Sequence, residues 1–383
     1  MTPTRATPRL AAIEGHILTP AGFVHGRVAF DERIVAVAGQ PVDEARVRAS
    51  CAPIVLPGFV DLHVHGGGGH DTMAGGDAAA ALARTHARHG TTSLLATTMT
   101  APRAEIEAAL AALAPTVARR PAQAARVLGV HLEGPYINRD RLGAQPDFAC
   151  TGTLDEVLAL HAIAPIRLVT LAPELPGHMA LVAALRARGF VVQLGHSAAG
   201  YEESRAAFEA GAQGVTHLFN AMGPLHHRAP GLAGAALAHA THAEIIPDLL
   251  HVHPGAILAA RRAIPGLYCV TDSSAAAGMP DGEYRLGRRT VTRCLGGVRL
   301  PDGTLAGSTL TMDQALRNLV GLGLPLGEAS QRTATIAARH LGLTDRGAIE
   351  PGAWADLVVL DAKLALHEVY IEGEPIAPTS AEA

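Results

Sequence analysis

Histidines recur at the ends of apolar, β-branched stretches of this 383-residue chain, which has 20 histidines in all. His63 and His65 end the first stretch, with Val64 between them. Residues i and i+2 of a strand point to the same face, so both imidazoles can reach one site and bind a metal ion. About one His-X-His is expected by chance at this histidine content, and a second occurs at His251 and His253. The first pair therefore indicates a metal site only together with other residues.

A carboxylate and two more histidines end later stretches of the same kind: Glu133 in VHLEGPY, His196 in QLGHS and His217 in THLFN. A buried carboxylate has to be paired, hydrogen-bonded or metal-bound, because an isolated buried charge is very costly. Two imidazoles and a carboxylate form a common catalytic zinc set with open coordination positions. We interpret Glu133 as a ligand shared by two metal positions. The alternatives are an ion pair with an arginine for Glu133 and a hydrogen-bonded core position for either histidine.

Asp272, in CVTDSS, ends the last of these stretches. Hydrolysis at a metal ion needs a base that takes a proton from water and an acid that later protonates the leaving group, and one carboxylate can do both in turn. We therefore predict that Asp272 is the catalytic acid and base. The alternative is a helix N-cap, because SSAAAG follows it.

The chain has eight apolar stretches of this kind, and Ala-rich segments with helical periodicity lie between most of them. The stretches are 54–65, 91–99, 126–135, 166–174, 190–197, 214–222, 243–252 and 266–274. Parallel strands alternating with helices predict an α/β fold, here a (β/α)8 TIM barrel, whose functional side chains lie at the C-terminal strand ends. An open doubly wound sheet is the alternative, but no GxGxxG follows the first stretch.

Both ends of the chain contain short strand patterns with turn residues between them. We predict that residues 1–53 and 345–383 form a small β-sandwich domain and that residues 54–344 form the catalytic barrel. Near the end of the barrel, segment 285–308 has the pattern of a hairpin insertion with an Asp-Gly tight turn at 302–303.

The composition excludes several kinds of partner. Hydrophobic residues make up 48% of the chain and charged residues 17%, enough for a large core and unlike a disordered chain. The formal net charge of −4 offers no basic surplus for nucleic acid. We find no signal peptide, and no run of about 18 apolar residues predicts a membrane span. The four cysteines form no CxxC, so we expect reduced thiols in a cytoplasmic protein.

Over essentially its whole length the chain resembles the N-acetylglucosamine-6-phosphate deacetylase family of the amidohydrolase superfamily. The segments that carry the resemblance are PGFVDLHVHGGGG, HLEGPYIN, LAPE, GHS, THLFNAMGPLHHRAPGLAGA, LLHVHP, TDSSAAAGMPDGEYRLG and LAGSTLTMDQALRNLV. THLFNAM and AAAGMPDGEY point to this family rather than to metal sites in general. The resemblance implies metal-dependent hydrolysis of the N-acetyl group of N-acetylglucosamine 6-phosphate, giving glucosamine 6-phosphate and acetate in amino-sugar catabolism.

The resemblance also implies roles for single residues. Glu133, His196 and His217 match the main metal site, and His63 and His65 match a pair that provides a second metal position, so each subunit would bind one or two divalent ions. Zinc is the first candidate, with iron, manganese and cobalt as alternatives. The residues that match substrate contacts are Ala144, Gln145, Asn220, Ala221, Arg228, His251, Leu305, Ala306 and Gly307.

Arg228 matches an arginine that reaches the sugar phosphate of a neighbouring subunit, which implies a homodimer. Asp272 matches the catalytic aspartate. Two features depart from the family pattern. Gln145 stands where some members have histidine; its amide can donate to the acetyl carbonyl or a sugar hydroxyl but cannot carry a positive charge. The PDLL segment before His251 replaces an ADG-type turn.

Two other functions are alternatives. A cyclic amidase or deaminase of the superfamily that uses a carboxylated lysine should have lysine at a strand end, but this chain has none before Lys363. A catalytically silent scaffold on the same fold should have lost ligand residues, whereas every ligand position here is filled. A small amino-sugar phosphate is the expected partner, without nucleic acid or membrane.

Overall fold

The computed structural model of the protein describes residues 10–377. Its strands are β1 (Ala11–Thr19), β2 (Gly22–Phe30), β3 (Ile34–Pro41), β4 (Ile54–Pro57), β5 (Phe59–Val64), β6 (Gly66–Gly67), β7 (His70–Asp71), β8 (Thr91–Thr97), β9 (Arg126–Glu133), β10 (Ile166–Leu171), β11 (Val191–Leu194), β12 (Gly214–Val215), β13 (His242–Ile245), β14 (Gly266–Cys269), β15 (Gly282–Leu286), β16 (Arg289–Cys294), β17 (Gly297–Arg299), β18 (Leu357–Leu360), β19 (Leu366–Ile371) and β20 (Glu374–Ile376). Its helices are α1 (Glu44–Ala49), α2 (Ala78–Ala87), α3 (Arg103–Ala118), α4 (Leu154–Ile163), α5 (His178–Ala187), α6 (Tyr201–Glu209), α7 (Gly231–His239), α8 (Pro254–Ala263), α9 (Met312–Gly321), α10 (Leu326–Ser330) and α11 (Ile336–His340).

Parallel strands form the barrel in the order β5-β8-β9-β10-β11-β12-β13-β14. A bridge between Val64 and Ser273 brings the first and last strands together. Helices α2 to α8 connect consecutive barrel strands, and α9 to α11 follow the last one. The predicted (β/α)8 barrel is thus confirmed.

The barrel strands are apolar because both of their faces are covered. Every residue of β8, TTSLLAT, is buried, as expected where one face lines the interior and the other contacts helices. Among residues 10–377, none of the helices combines the length and apolar composition that crossing a membrane requires.

The stretch 54–65, expected as one barrel strand, consists of two strands. β4 pairs with β1 and β18, whereas β5 begins the barrel. Gly58 separates them, and a Cβ atom there would lie 2.1 Å from Cγ2 of Thr92, so only glycine lets the chain pass this close. Ile54–Pro57, which we expected in the barrel, therefore belong to the small sheet.

The N- and C-terminal segments share one seven-stranded sheet, ordered β20-β19-β18-β4-β1-β2-β3. Val28, Phe30 and Leu357 pack in a core separate from that of the barrel. This matches the small β domain expected from both chain ends. Residues 1–9 and 378–383 of that expected domain lie outside the described residues.

Arginines connect the small sheet to the barrel. Glu372, in the turn between β19 and β20, accepts two hydrogen bonds of 2.8 Å from Arg126 at the start of β9 and one of 2.5 Å from Arg346. Burial alone would raise the pKa of Glu372, but the two arginines hold it at about 2. Arg346 also pairs with buried Asp356. Charged contacts thus tie the C-terminal strands to the barrel.

An insertion after β14 forms a three-stranded antiparallel sheet, β15-β16-β17. Its tight turns lie at 287–288 and 295–296. The turn predicted at 302–303 is present: it joins β17 to the antiparallel segment 304–306, through a bridge between Arg299 and Leu305 and a main-chain hydrogen bond from Leu300 to Thr304. The insertion is larger than the single hairpin that we expected, because two further turns connect β15, β16 and β17. Leu286 and Val298 of this sheet pack with Met99 of the barrel, so the insertion borders the barrel mouth.

Candidate active site

The C-terminal end of the barrel brings together the residues predicted to bind metal and to catalyse. They are His63 and His65 at the end of β5, Glu133 at the end of β9, His196 after β11, His217 after β12 and Asp272 after β14. All of them are buried. Residues far apart in the chain meet because parallel strands end at the same rim.

Glu133 lies between two pairs of histidines. Its Oε1 atom is 3.1 Å from Nε2 of His196 and 3.1 Å from Nε2 of His217. Its Oε2 atom is 3.1 Å from Nε2 of His65 and 3.5 Å from Nε2 of His63. The two oxygens face different histidine pairs, which is the geometry of a carboxylate that two cation positions can share.

The hydrogen bonds of the outer ring nitrogens fit a bound metal ion. Nδ1 of His196 donates to the carbonyl of Arg141 at 2.8 Å, since a carbonyl can only accept. Nε2 of His196 then presents a lone pair to the Glu133 carboxylate and to Nε2 of His217, 3.1 Å away. Converging lone pairs of this kind are satisfied when a cation lies between them. Imidazole nitrogen and carboxylate oxygen are ligands that suit zinc, iron, manganese or cobalt.

Three of the residues predicted to bind metal or to catalyse have a left-handed backbone, which residues other than glycine rarely adopt. The φ angle is +47° at His196, +30° at His217 and +48° at Asp272. The main-chain N–H of His217 donates to buried Glu244 at 3.2 Å, and that of Asp272 donates to the His63 carbonyl at 2.9 Å. Such conformations persist where the surrounding structure compensates for their cost, and they concentrate at functional sites.

Asp272 faces the histidine pair from the first barrel strand. Its Oδ1 atom is 3.4 Å from Nε2 of His63 and 3.3 Å from Nε2 of His65. Burial alone would raise the pKa of Asp272, but the two histidines outweigh burial and hold it below its usual value. The carboxylate is therefore ionised at neutral pH and able to accept a proton. No helix begins in residues 273–281, so the alternative role as a helix N-cap is wrong.

The site favours positive charge. Burial lowers the pKa of His65, but Asp272 and Glu133 outweigh it and raise this pKa to about 9. Burial raises the pKa of Glu133, yet His63 and His196 hold it well below its usual value. Among residues 10–377, the charged partners of Glu133 are histidines, so the alternative of an ion pair with arginine is wrong.

A cavity of about 210 Å³ opens onto this cluster. Its lining consists of His65, Met99, Glu133, Gly143, Ala144, Gln145, His196, His217, Asn220, Ala221, His251, Asp272, Leu286, Thr304, Leu305 and Gly307. Most of the predicted substrate residues are among them. Ala306 instead packs in the apolar cluster beside the cavity, and Arg228 lies on an exposed loop outside it.

Sequence reasoning missed several residues of the site. Met99 ends the predicted stretch 91–99. The rule that functional side chains of a barrel lie at the C-terminal strand ends, here called the strand-end rule, could therefore have found it. Leu286 and Thr304 come from the insertion, whose sequence carries no such signal. Glu244 is the acidic residue of the short apolar strand β13 and is fully buried, so it could have been selected on the same grounds as Glu133.

Gln145 uses its side chain within the protein. Its Nε2 donates to Oε2 of Glu133 at 2.7 Å, and its Oε1 accepts from the main-chain N–H of Thr100 at 2.7 Å. The Gln145 side chain therefore holds the Glu133 carboxylate in place, and its contact with the substrate stays a prediction.

His251 lines the cavity, and Asp248 fixes its orientation. Oδ2 of Asp248 is 2.6 Å from Nδ1 of His251, and its Oδ1 accepts the main-chain N–H of His251 at 2.8 Å. Asp248, in the PDLL segment, thus builds the turn that places this histidine. His253 accepts from the N–H of Gly255 and caps α8, so the second His-X-His pair is not a metal pair.

The fold and the site together define a class of protein, a (β/α)8 hydrolase with a candidate cation site at the C-terminal strand ends. The chain matches the amidohydrolase family over residues 54–379. It is 39% identical to an N-acetylglucosamine-6-phosphate deacetylase of Lysinibacillus sphaericus, over 83% of this chain and 84% of the relative. It is also 39% identical to an N-acetylgalactosamine-6-phosphate deacetylase of Escherichia coli O157:H7, over 94% of this chain and 97% of the relative.

Solved structures give the same result. An N-acetyl-D-glucosamine-6-phosphate deacetylase variant of Mycobacterium smegmatis, in complex with N-acetyl-D-glucosamine-6-phosphate, superposes with a TM-score of 0.88 at 34% identity, over 96% of this chain and 99% of that one. The Thermotoga maritima deacetylase gives 0.87 at 32% identity, over 96% and 100%. The chain therefore belongs to the amidohydrolase family and, within it, to the N-acetylglucosamine-6-phosphate deacetylases.

Proposed function

We propose that the protein hydrolyses the N-acetyl group of N-acetylglucosamine 6-phosphate, giving glucosamine 6-phosphate and acetate in amino-sugar catabolism or recycling. The observation that carries this proposal is the Glu133 carboxylate between two histidine pairs, with Asp272 beside one pair and an open cavity above. Amide hydrolysis needs a polarised carbonyl, an activated water and a proton for the leaving amine. The related Mycobacterium smegmatis enzyme was captured with this sugar phosphate.

Divalent cations are the cofactor that these ligands suit. Glu133, His196 and His217 would hold one ion, and His63 and His65 would hold a second together with Glu133. We propose zinc, with iron, manganese and cobalt as alternatives. A cation bound here lowers the pKa of water and polarises the amide oxygen.

Asp272 transfers the proton. Its ionised carboxylate takes a proton from the attacking water and then delivers it to the amide nitrogen as the C–N bond breaks, so that the product leaves as a neutral amine. Gln145 holds Glu133 throughout, because its hydrogen bond to Oε2 does not depend on the substrate.

Polar groups around the cavity hold the sugar phosphate. Asn220 and His251 line the cavity, and His251 would present Nε2 to the sugar because Asp248 holds its Nδ1. Arg228 would bind the phosphate of a neighbouring subunit in a homodimer, a task that suits the guanidinium fork. We place the enzyme in the cytoplasm, since its four cysteines are unpaired, as in reducing compartments.

N-acetylgalactosamine 6-phosphate is a second candidate substrate. The 39% identical E. coli relative that covers 94% of this chain is named for that sugar. The two sugars differ only in the configuration of one hydroxyl, far from the acetamide, so the same catalytic groups would serve both.

Acetate release should be measured with both N-acetylated sugars, with and without the 6-phosphate, while the metal content of the same sample is determined. We expect turnover of a phosphorylated sugar that is lost on chelation and restored by a divalent cation. Equal turnover of phosphorylated and unphosphorylated sugars would contradict the substrate, and turnover unaffected by chelation would contradict the cation.

A further inference from the structure

We propose that Glu244 is a positioning residue that sets the affinity of the second cation position, the one that His63 and His65 form with Glu133. This inference rests on the proposed cation site. Glu244 is the last residue but one of the seventh barrel strand, β13, and its side chain is fully buried beneath the cluster. It does not line the cavity, so it would act only through other residues.

Glu244 contacts the ring of His63 directly. Oε2 of Glu244 is 2.9 Å from Nδ1 of His63 and accepts the main-chain N–H of His217 at 3.2 Å. The hydroxyl of Tyr268 donates to Oε1 at 3.3 Å. An ionised carboxylate can only accept, so Nδ1 of His63 carries the proton and Nε2 turns its lone pair towards the site. A carboxylate behind a ligand histidine also makes that ligand more basic.

The charges near Glu244 support the same role. Within residues 10–377, Glu244 forms its one ion pair with His63, and His131 also lies near both. Three carboxylates, Glu133, Asp272 and Glu244, surround this cluster, and within the same residues none of the three forms an ion pair with lysine or arginine. Buried carboxylates need compensating positive charge, and a second divalent cation beside His63 would supply it.

The effect should be confined to one cation position. Glu244 contacts the ring of His63 but only the main chain of His217. The ring of His196 is held separately, by the carbonyl of Arg141. Removing the charge of Glu244 should therefore weaken the position at His63 and His65 and spare that at His196 and His217.

The test compares zinc binding by the chelator-treated full chain, its Glu244→Gln variant and its Asp61→Asn variant. A glutamine oxygen can still accept from His63 and His217, so Glu244→Gln removes mainly the charge. Asp61 is a matched control, because it is also fully buried next to His63 but contacts the main-chain N–H at 3.3 Å and not the ring. Competition with a chromophoric chelator gives the stoichiometry and both affinities.

We expect two zinc equivalents in the unmodified chain and in Asp61→Asn. In Glu244→Gln we expect one zinc equivalent to keep its affinity and the other, assigned to His63 and His65, to lose about 10- to 100-fold. One equivalent in the unmodified chain, an unchanged second affinity in Glu244→Gln, or an equal loss of both equivalents would each overturn the proposal.

If Glu244→Gln fails to fold, a second variant tests the same proposal. Glu244→Asp keeps the charge but withdraws it from the ring by one methylene, and it should also weaken the second zinc selectively; unchanged binding would overturn the proposal. Acetate release by the unmodified chain is measured at one zinc equivalent in the same series. This measurement tests the deacetylase function separately from the role of Glu244.

Discussion

Among individual side chains, substitution of Asp272 should reduce turnover without changing cation binding. Asp272→Asn keeps the size of the side chain but removes its ability to take a proton. Because Glu133 and the histidines are unchanged, the cation content should stay the same. We expect turnover to fall by about 10² to 10⁴-fold. Turnover and elemental analysis of the same sample test this, and near-normal turnover would remove Asp272 from its role.

Gln145 should matter for stability as well as for catalysis. Gln145→Ala would leave the buried N–H of Thr100 unpaired and free the Glu133 carboxylate to rotate. An unpaired buried donor costs about 1–3 kcal/mol, so the free energy of unfolding should fall by that order, and turnover should fall with it. Chemical denaturation and acetate release check both. Gln145→His introduces the residue of some family members and should lose less stability and less turnover than Gln145→Ala. An unchanged free energy of unfolding in Gln145→Ala would contradict this role.

Site residues were predictable where they follow the strand-end rule. Glu133, His196, His217 and Asp272 each end an apolar stretch, and the barrel carries those ends to one rim. The hydrogen bonds of Gln145 to Glu133 and Thr100 were not predictable, since Thr100 follows a different strand. His253 shows the limit of local patterns, because the same His-X-His spacing that brings two candidate ligands together at His63 and His65 provides a helix cap at the second site.

For the secondary-structure elements, the contact between β9 and the turn before β20 predicts a pH dependence. The folded pKa of Glu372 is about 2, below the usual value of an unfolded glutamate. Its contribution to stability is therefore complete above about pH 4.5 and is lost as the pH falls towards 2. Glu372→Gln should be less stable than the unmodified chain at pH 7, and the difference should shrink at acidic pH.

Chemical denaturation between pH 7 and pH 3 measures that difference. Glu14→Gln, which changes an exposed glutamate of β1, serves as the control and should have little effect at any pH. A difference for Glu372→Gln that stays constant across the range would contradict the role of its ionised form.

The elements themselves were predicted with uneven success, for physical reasons. Buried parallel strands and Ala-rich helices have strong periodicity, so the barrel was predictable. The division of 54–65 into two strands depends on Gly58 passing close to Thr92, a contact with another strand that periodicity does not reveal. In the insertion, the turn at 302–303 was predictable because Asp-Gly has strong local turn chemistry, and it does join antiparallel segments. The turns at 287–288 and 295–296 depend on strand pairing and were not predicted.

For the assembled protein, the proposed homodimer predicts complementation between two inactive variants. Arg228 is exposed and lies outside the cavity of its own subunit. If it serves the neighbouring site, a mixed dimer of Arg228→Ala and Asp272→Asn subunits contains one site with both residues intact. Co-refolded or co-expressed mixtures should recover up to about half of the activity per dimer, as one of two sites is restored.

To test this, acetate release from the phosphorylated sugar is measured for the mixture and for each variant alone. Each variant alone should stay nearly inactive on this substrate. Activity of the mixture equal to the sum of the separate variants would show that Arg228 does not act across subunits.

The presence of cations at Glu133 can be tested most directly by anomalous diffraction at the zinc absorption edge from crystals of the zinc-loaded protein. We expect an anomalous peak within about 2.0–2.2 Å of Glu133, His196 and His217, and a second beside His63 and His65. Zinc peaks confined to other parts of the molecule, with these side chains unoccupied at saturating zinc, would contradict the cation site on which the proposed hydrolysis depends.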